Sequence, residues 1–204
     1  MIHSEDLLAV TDGATPLTPD DLVGLIPTYV QSREELNDVE RDNVTEAMIW
    51  ANGRHWTVDL LMTSEAMRQL HRRMFKDVWR WAGAYRLRET TIGVAPSQIP
   101  VQLRDLLEDV RAQVEAGEAL GWSCGETAIR FHHRLVLIHP FPNGNGRHAR
   151  LASDLLVVAL GGKRFTWGGV DLIGEGEARS RYLDALRCAD KTFDYGPLLE
   201  FARS

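Results

Sequence analysis

Little in this chain speaks for a secreted, membrane-spanning or metal-clustered protein. Its 204 residues hold two cysteines, Cys124 and Cys188. Two cysteines without a metal-type interval make neither a disulfide framework nor a thiolate metal site, and they suit a reduced, cytoplasmic setting. No apolar run approaches the roughly 20 residues that cross a bilayer, so no membrane partner is expected. Met1 to Val10 carries Glu5 and Asp6 and lacks the basic, apolar, small-residue order of a signal peptide. Positive charge is in deficit, 23 Lys and Arg against 29 Asp and Glu, for a net charge of −6. A surface of that sign does not coat nucleic acid, although it leaves room for a local basic pocket. Lys163-Arg164 is too short a patch to alter this. His132, His133, His139 and His148 lie close in sequence but lack HExxH spacing. Adjacent His132 and His133 would point about 100° apart on a helix, which argues against a zinc hydrolase.

What the chain does contain is helical periodicity. Residues 1–30, with Gly13, Pro16, Pro19 and Pro27, read as an irregular lead-in before a domain spanning 31–204. Ser32 and Glu35 have capping-box spacing and open a helix with Leu36, Val39, Val44, Ala47 and Met48 on its apolar positions. A second helix should start near Thr63 and run through Met67, Leu70, Met74, Phe75 and Val78 to about Trp81. Tyr85 to Arg88 and Thr90 to Val94 are short β-branched or alternating segments, expected to form a small hairpin on a helical body. Pro100, Leu103, Leu106, Leu107, Val110 and Val114 mark a third helix ending near Gly117. The six tryptophans fit core and rim positions better than a base-stacking surface.

The segment from Ser123 to Gly162 carries the chemistry. Ser123 and Glu126 open another helix, with Ala128, Phe131, Leu135 and Ile138 on one face. Pro140 disfavours helical geometry at His139, so the helix should stop just before that imidazole. Gly144 and Gly146 permit positive φ and close approach to a ligand. Leu151, Leu155, Leu156, Val158 and Ala159 form the next helix, stopped by Gly161-Gly162. The glycine loop therefore lies at a helix N-terminus, where free amides and the positive end of the dipole favour phosphate. Arg147 and Arg150 are three apart on the first turn and can reach one oligophosphate. Arginines there oppose the dipole, which points to an anionic partner.

The full run His139-Pro140-Phe141-Pro142-Asn143-Gly144-Asn145-Gly146-Arg147-His148-Ala149-Arg150 resembles the signature of the Fic family. Leu70-His71, Phe75, Trp79 and Trp81 to Arg86 resemble the family's segment before its flap, and Tyr182 to Phe201 its closing helices. The resemblance covers roughly residues 35–202. Asp12 to Leu17, with the form of the motif, resembles the subgroup called mobile mystery protein B, often encoded on mobile elements. The implied fold is all-α, mainly helical, with a small β-hairpin flap beside the active-site helix–loop–helix.

The implied activity is protein adenylyl transfer, moving AMP from ATP onto a hydroxyl of a target protein. His139 would be the general base. Gly144, Asn145 and Gly146 would line the anion cradle. Arg147 would hold the β-phosphate side of the leaving pyrophosphate, and Arg150 the γ-phosphate. Phe141 would be a structural anchor. Thr91, Ile92, Gly93 and Val94 would form the flap that aligns an extended segment of the target. ATP is the expected substrate and Mg²⁺ the expected cofactor. The family's usual acidic metal ligand is Asn143 here, an uncharged oxygen that binds Mg²⁺ more weakly. Two alternatives follow: a phosphoryl or other nucleotidyl transferase of Fic/Doc type, or a nucleotide-binding interaction module in a toxin–antitoxin-like setting. Many relatives are restrained by a glutamate that pairs with the second motif arginine. Glu35 and Glu40 are the candidates to approach Arg150, with Glu35 alternatively the capping partner of Ser32. Otherwise restraint would fall to a separate inhibitory partner protein.

Overall fold

Side-chain caps decide where most of the helices begin. The computed structural model describes residues 15–117, 121–169 and 176–204. Its elements are α1 (Pro19–Val23), α2 (Arg33–Asn52), α3 (Val58–Leu61), α4 (Ser64–Phe75), α5 (Ile99–Ala116), α6 (Cys124–Ile138), α7 (Asn145–Ala159), α8 (Glu177–Thr192) and α9 (Gly196–Arg203). Thr18 and Asp21 form a reciprocal capping box on α1, and Ser32 and Glu35 form one on α2. Thr57, Thr63 and Ser123 cap α3, α4 and α6. Each such cap contributes about 1 kcal/mol by satisfying an amide that has no partner within the helix. Helix α7 has no side-chain cap.

Apolar residues spaced three and four apart bring the helices together. Phe131, Leu135 and Ile138 of α6 pack with Leu151, Leu155 and Leu156 of α7, and all are buried. Leu103, Leu106 and Val110 of α5 and Met67, Leu70 and Met74 of α4 complete the core. Burying each large apolar side chain contributes about 1.5–3 kcal/mol. Helix α2 lies on α4, while α8 and α9 pair with each other.

Three expectations need correction. Helix α4 stops at Phe75, not near Trp81: the N–H groups of Val78 and Trp79 both turn back to Phe75 O, at 3.1 and 2.8 Å. That turn carries the Trp79 indole to Glu40 of α2, with Nε1 donating to Oε1 at 2.6 Å. The lead-in is not wholly irregular. Besides α1, it joins the body through Ile26 N–H to Val78 O (2.9 Å) and Arg80 N–H to Gly24 O (2.8 Å). Residues 1–14, including Asp12-Gly13-Ala14, lie outside the described residues.

The third correction is the hairpin. No strand forms among the described residues; one isolated bridge joins Leu25 and Trp79. The main chain of 84–95 bonds outward: Arg86 N–H to Pro140 O (2.9 Å) and Val94 N–H to Ile138 O (3.4 Å). The carbonyls of Arg88 and Val94 accept from the Arg86 guanidinium. With these groups committed to the motif loop and to one buried arginine, a cross-strand ladder is not needed to satisfy them.

Candidate active site

The site is built where α6 ends. Pro140 keeps His139 out of the helix, and its backbone turns left-handed at φ 52° while its N–H still reaches Leu135 O. That conformation is uncommon for a residue with a Cβ. Arg86, 2% exposed, clamps it: Nε donates to His139 O at 2.6 Å, Nη1 to Arg88 O at 2.8 Å, and Nη2 to Val94 O and Ile138 O. Gly93 (φ 130°) lies against the same residue, and a Cβ there would come within 2.9 Å of His139 Cβ. Of the four flap residues, Gly93 and Val94 thus stand beside the base. Thr91 and Ile92 are exposed.

The hydrogen bonds of His139 define its protonation. Nδ1 lies 3.2 Å from Val136 O, and a carbonyl only accepts, so Nδ1 carries the proton. Nε2 therefore presents a lone pair, and the Thr15 hydroxyl donates to it at 2.7 Å. Burial lowers the pKa of His139 to about 4, with Arg86 and Arg88 adding in the same direction. The ring is a neutral base at any pH above that value.

The loop beyond it is set by glycine and by side chains turned inward. Gly144 has φ 76°, and a Cβ there would sit 2.5 Å from the Phe75 ring. Gly144→Ala should therefore lower stability by about 1–3 kcal/mol through overpacking; an unchanged thermal midpoint would show that the loop repacks freely. Asn145 is 3% exposed, and its amide grips Phe141 main chain: Oδ1 accepts from Phe141 N–H (2.9 Å) and Nδ2 donates to Phe141 O (2.8 Å). Its side chain thus braces the loop and does not line a cradle, which leaves its main-chain amide on the first turn for that task. Around Gly146 the space is open, with Arg150 Nη1 3.8 Å from a built Cβ. Phe141 is an anchor, fully buried and stacked on His71 at 3.8 Å. His71 donates from Nε2 to Asn143 O (3.0 Å) and accepts at Nδ1 from Gly83 N–H (3.0 Å).

The two arginines have different partners. Arg147 Nη2 pairs with Glu40 Oε2 at 2.7 Å, both side chains largely buried, and Nη1 has no hydrogen-bond partner among the described residues. Arg150 lies over the Tyr182 ring at 5.6 Å and bonds to its hydroxyl. Tyr182 in turn meets His132 Nε2 at 3.0 Å. The expected approach of Glu35 or Glu40 to Arg150 is thereby corrected. Glu40 holds the first arginine because Trp79 fixes its other oxygen, and Glu35 is held in the α2 cap, accepting from the N–H groups of Gln31 and Ser32.

Asn143 does not fit a metal ligand in this arrangement. Its Oδ1 accepts from Gly144 N–H at 2.6 Å and its Nδ2 donates to Thr15 O at 3.1 Å. No cluster of three His, Cys, Asp or Glu suited to a metal occurs among the described residues. His133 pairs with Asp190 at 2.7 Å. Thr15, Arg86, Trp79 and Tyr182 were not singled out from the sequence as site residues. Arg86 had a weak signal, a cation that alternates with Arg88 in a short segment. Thr15 had none.

Several buried imidazoles make the fold acid-sensitive. Burial lowers the pKa of His132 to about 3 and of His148 to about 4, and lowers that of His71 well below its usual value. With His139, these rings stay neutral when folded but take up protons at about 6.5 when unfolded. Stability is full above that pH and lost as pH falls toward 4. Asp154, raised by burial to about 6, works oppositely, losing stability as pH rises through that value. Four histidines outweigh one carboxyl. The thermal midpoint at pH 5 should therefore lie below that at pH 7.5, and an equal or higher midpoint at pH 5 would contradict these burial assignments.

The helical body thus presents a neutral imidazole beside an uncapped helix N-terminus that carries two arginines. Residues 61–157 match the model of the Fic/DOC family. It is 33% identical over 84 residues to protein adenylyltransferase fic-1 of Caenorhabditis briggsae, a stretch of 39% of this chain and 16% of that protein. It is 50% identical over 48 residues to uridine 5'-monophosphate transferase of Xanthomonas campestris pv. campestris, 24% of this chain and 9% of that protein. The chain thus spans a small part of these relatives. Among solved structures, the fold is similar to BepC of Bartonella tribocorum with bound AMPPNP, at a TM-score of 0.66 and 18% identity, covering 95% of this chain and 93% of that one. No helix among the described residues is long and apolar enough to cross a membrane.

Proposed function

We propose that this chain is a protein adenylyltransferase that moves AMP from ATP to a protein hydroxyl. The observation that carries the reading is the lone pair of His139 Nε2, held neutral by burial and already engaged with a hydroxyl. An acceptor hydroxyl placed there gives its proton to Nε2 as its oxygen attacks the α-phosphorus. The bond from that phosphorus to the β-phosphate oxygen breaks, and pyrophosphate leaves. The first-turn amides of α7 and the guanidinium groups of Arg147 and Arg150 would stabilise the phosphate charge. Arg147 Nη1, lacking a partner, suits a phosphate oxygen. Positioning and charge stabilisation would supply most of the rate. Mg²⁺ in this reading arrives on the nucleotide, because Asn143 is committed to its own loop and to Thr15.

A target segment would dock at 84–95, where Leu87 is 94% exposed and Ile92 41% exposed, with Gly93 against the base. The domain would span residues 31–204, with the lead-in as an addition. Restraint by a separate partner protein and membership of the mobile mystery protein B subgroup belong to the same reading. A second reading, transfer of UMP, is favoured by the 50% identity to the uridine 5'-monophosphate transferase.

The test supplies purified protein and Mg²⁺ with α-labelled ATP, γ-labelled ATP or α-labelled UTP in cell lysate. α-Label from ATP on protein, absent with His139→Ala, is the expected result. Label from UTP alone favours the second reading, and γ-label on protein that is lost with His139→Ala, without α-label, overturns nucleotidyl transfer altogether.

A further inference from the structure

We infer that Thr15 of this chain is itself an acceptor of the transferred nucleotide, so that the protein modifies its own lead-in. The inference rests on the adenylyl-transfer reading and names one substrate of that site. Thr15 Oγ1 lies 2.7 Å from His139 Nε2, and the Nδ1 contact to Val136 O makes Nε2 the acceptor and the threonine hydroxyl the donor. That is the geometry in which a base takes the proton of an attacking alcohol.

The segment is held there at several points. Thr15 O accepts from Asn143 Nδ2 at 3.1 Å, and Pro16 O accepts from Arg88 Nη2 at 2.9 Å. The same Arg88 Nη2 meets Asp21 Oδ2 at 2.7 Å, and Leu17 is buried. Asp21 also closes the capping box on α1. Each of these clamps belongs to the site or to the segment flanking it, and two of the partners, His139 and Asn143, are motif residues. Neighbouring Thr18 is a weaker acceptor, because its hydroxyl donates to Asp21 Oδ2 at 2.8 Å and accepts from Asp21 N–H. An acceptor fixed on the same chain reacts without the entropy loss of bringing in a second molecule.

The step balances. Thr15 Oγ forms a bond to the α-phosphorus of ATP, its proton passes to His139 Nε2, and the bond from the α-phosphorus to the β-phosphate oxygen breaks. Pyrophosphate departs with that electron pair, and the product is an AMP phosphoester of Thr15.

The test incubates the purified full chain with Mg²⁺ and α-labelled ATP, with and without lysate, and fragments the Met1–Arg33 tryptic peptide to place any label. The expected result is label on Thr15, retained in Thr15→Ser and lost in both Thr15→Val and His139→Ala. The labelled fraction at a fixed time should not change on tenfold dilution of the protein. Label confined to other residues, or to lysate proteins, overturns this inference and leaves the proposed function standing. Labelling that slows in proportion to dilution overturns it too, because the acceptor then belongs to another copy. No label on the chain or on any lysate protein sinks both proposals together. Thr15→Val must keep the wild-type thermal midpoint; if it does not, Thr15→Ser labelled elsewhere than at residue 15 overturns the inference by itself.

Discussion

Alanine at His139 should cut transfer to protein hydroxyls by roughly 10²–10⁴-fold, the usual loss when a positioned general base is removed. The fold should survive, because the Arg86 clamp grips the carbonyl of residue 139 and not its imidazole. Near-UV circular dichroism of the variant checks that point alongside the rate. The pH profile gives an independent reading. Burial holds the His139 pKa at about 4, and a base works when unprotonated. The activity of the folded protein should therefore persist below a pH of about 6.5 and fall only with the acid loss of the fold, followed in parallel by circular dichroism. A profile falling near the ordinary histidine value of about 6.5 would mean that the working ring is solvated.

Removal of Glu40 should do the greatest damage to stability. Its carboxylate is 5% exposed and receives both the Trp79 indole and the Arg147 guanidinium. Glu40→Ala leaves a buried cation uncompensated, a loss of about 3–5 kcal/mol, and removes the acceptor of a buried indole N–H. Urea unfolding should register a drop of that size, and a change below about 1 kcal/mol would place the pair among weak surface contacts. Transfer measured under folding conditions should fall as well, since Nη2 of Arg147 would lose the tether that orients Nη1.

These effects separate what was legible in the sequence from what was not. The starts of α2, α4 and α6 were readable because a cap acts over three residues, as Ser32 with Glu35 and Ser123 with Glu126 N–H do. The end of α6 was readable because Pro140 constrains its immediate neighbour. Helix α4 ended earlier than its periodicity suggested, since the turn after Phe75 serves an indole that must reach Glu40, 39 positions away. The hairpin failed for a similar reason: its main chain bonds to the Arg86 side chain and to residues 138 and 140 rather than across a strand pair. In the motif, His139, Gly144, Gly146, Arg147 and Arg150 come together at one helix start, while Asn145 turned inward. Thr15 was illegible because its contact to His139 spans 124 positions and involves no local pattern.

Arg86 carries one more consequence. It grips four carbonyl oxygens and no side chain of the segment around it, so the frame that holds the base is indifferent to most side-chain identities nearby. Leu87, Thr91 and Ile92 are exposed and project from that frame without supporting it. Those positions form a natural library for altered target choice, in which diversity can be introduced while the chemistry beneath is conserved. Position 86 itself admits no such freedom, because lysine, a single point of charge, cannot span the four acceptors.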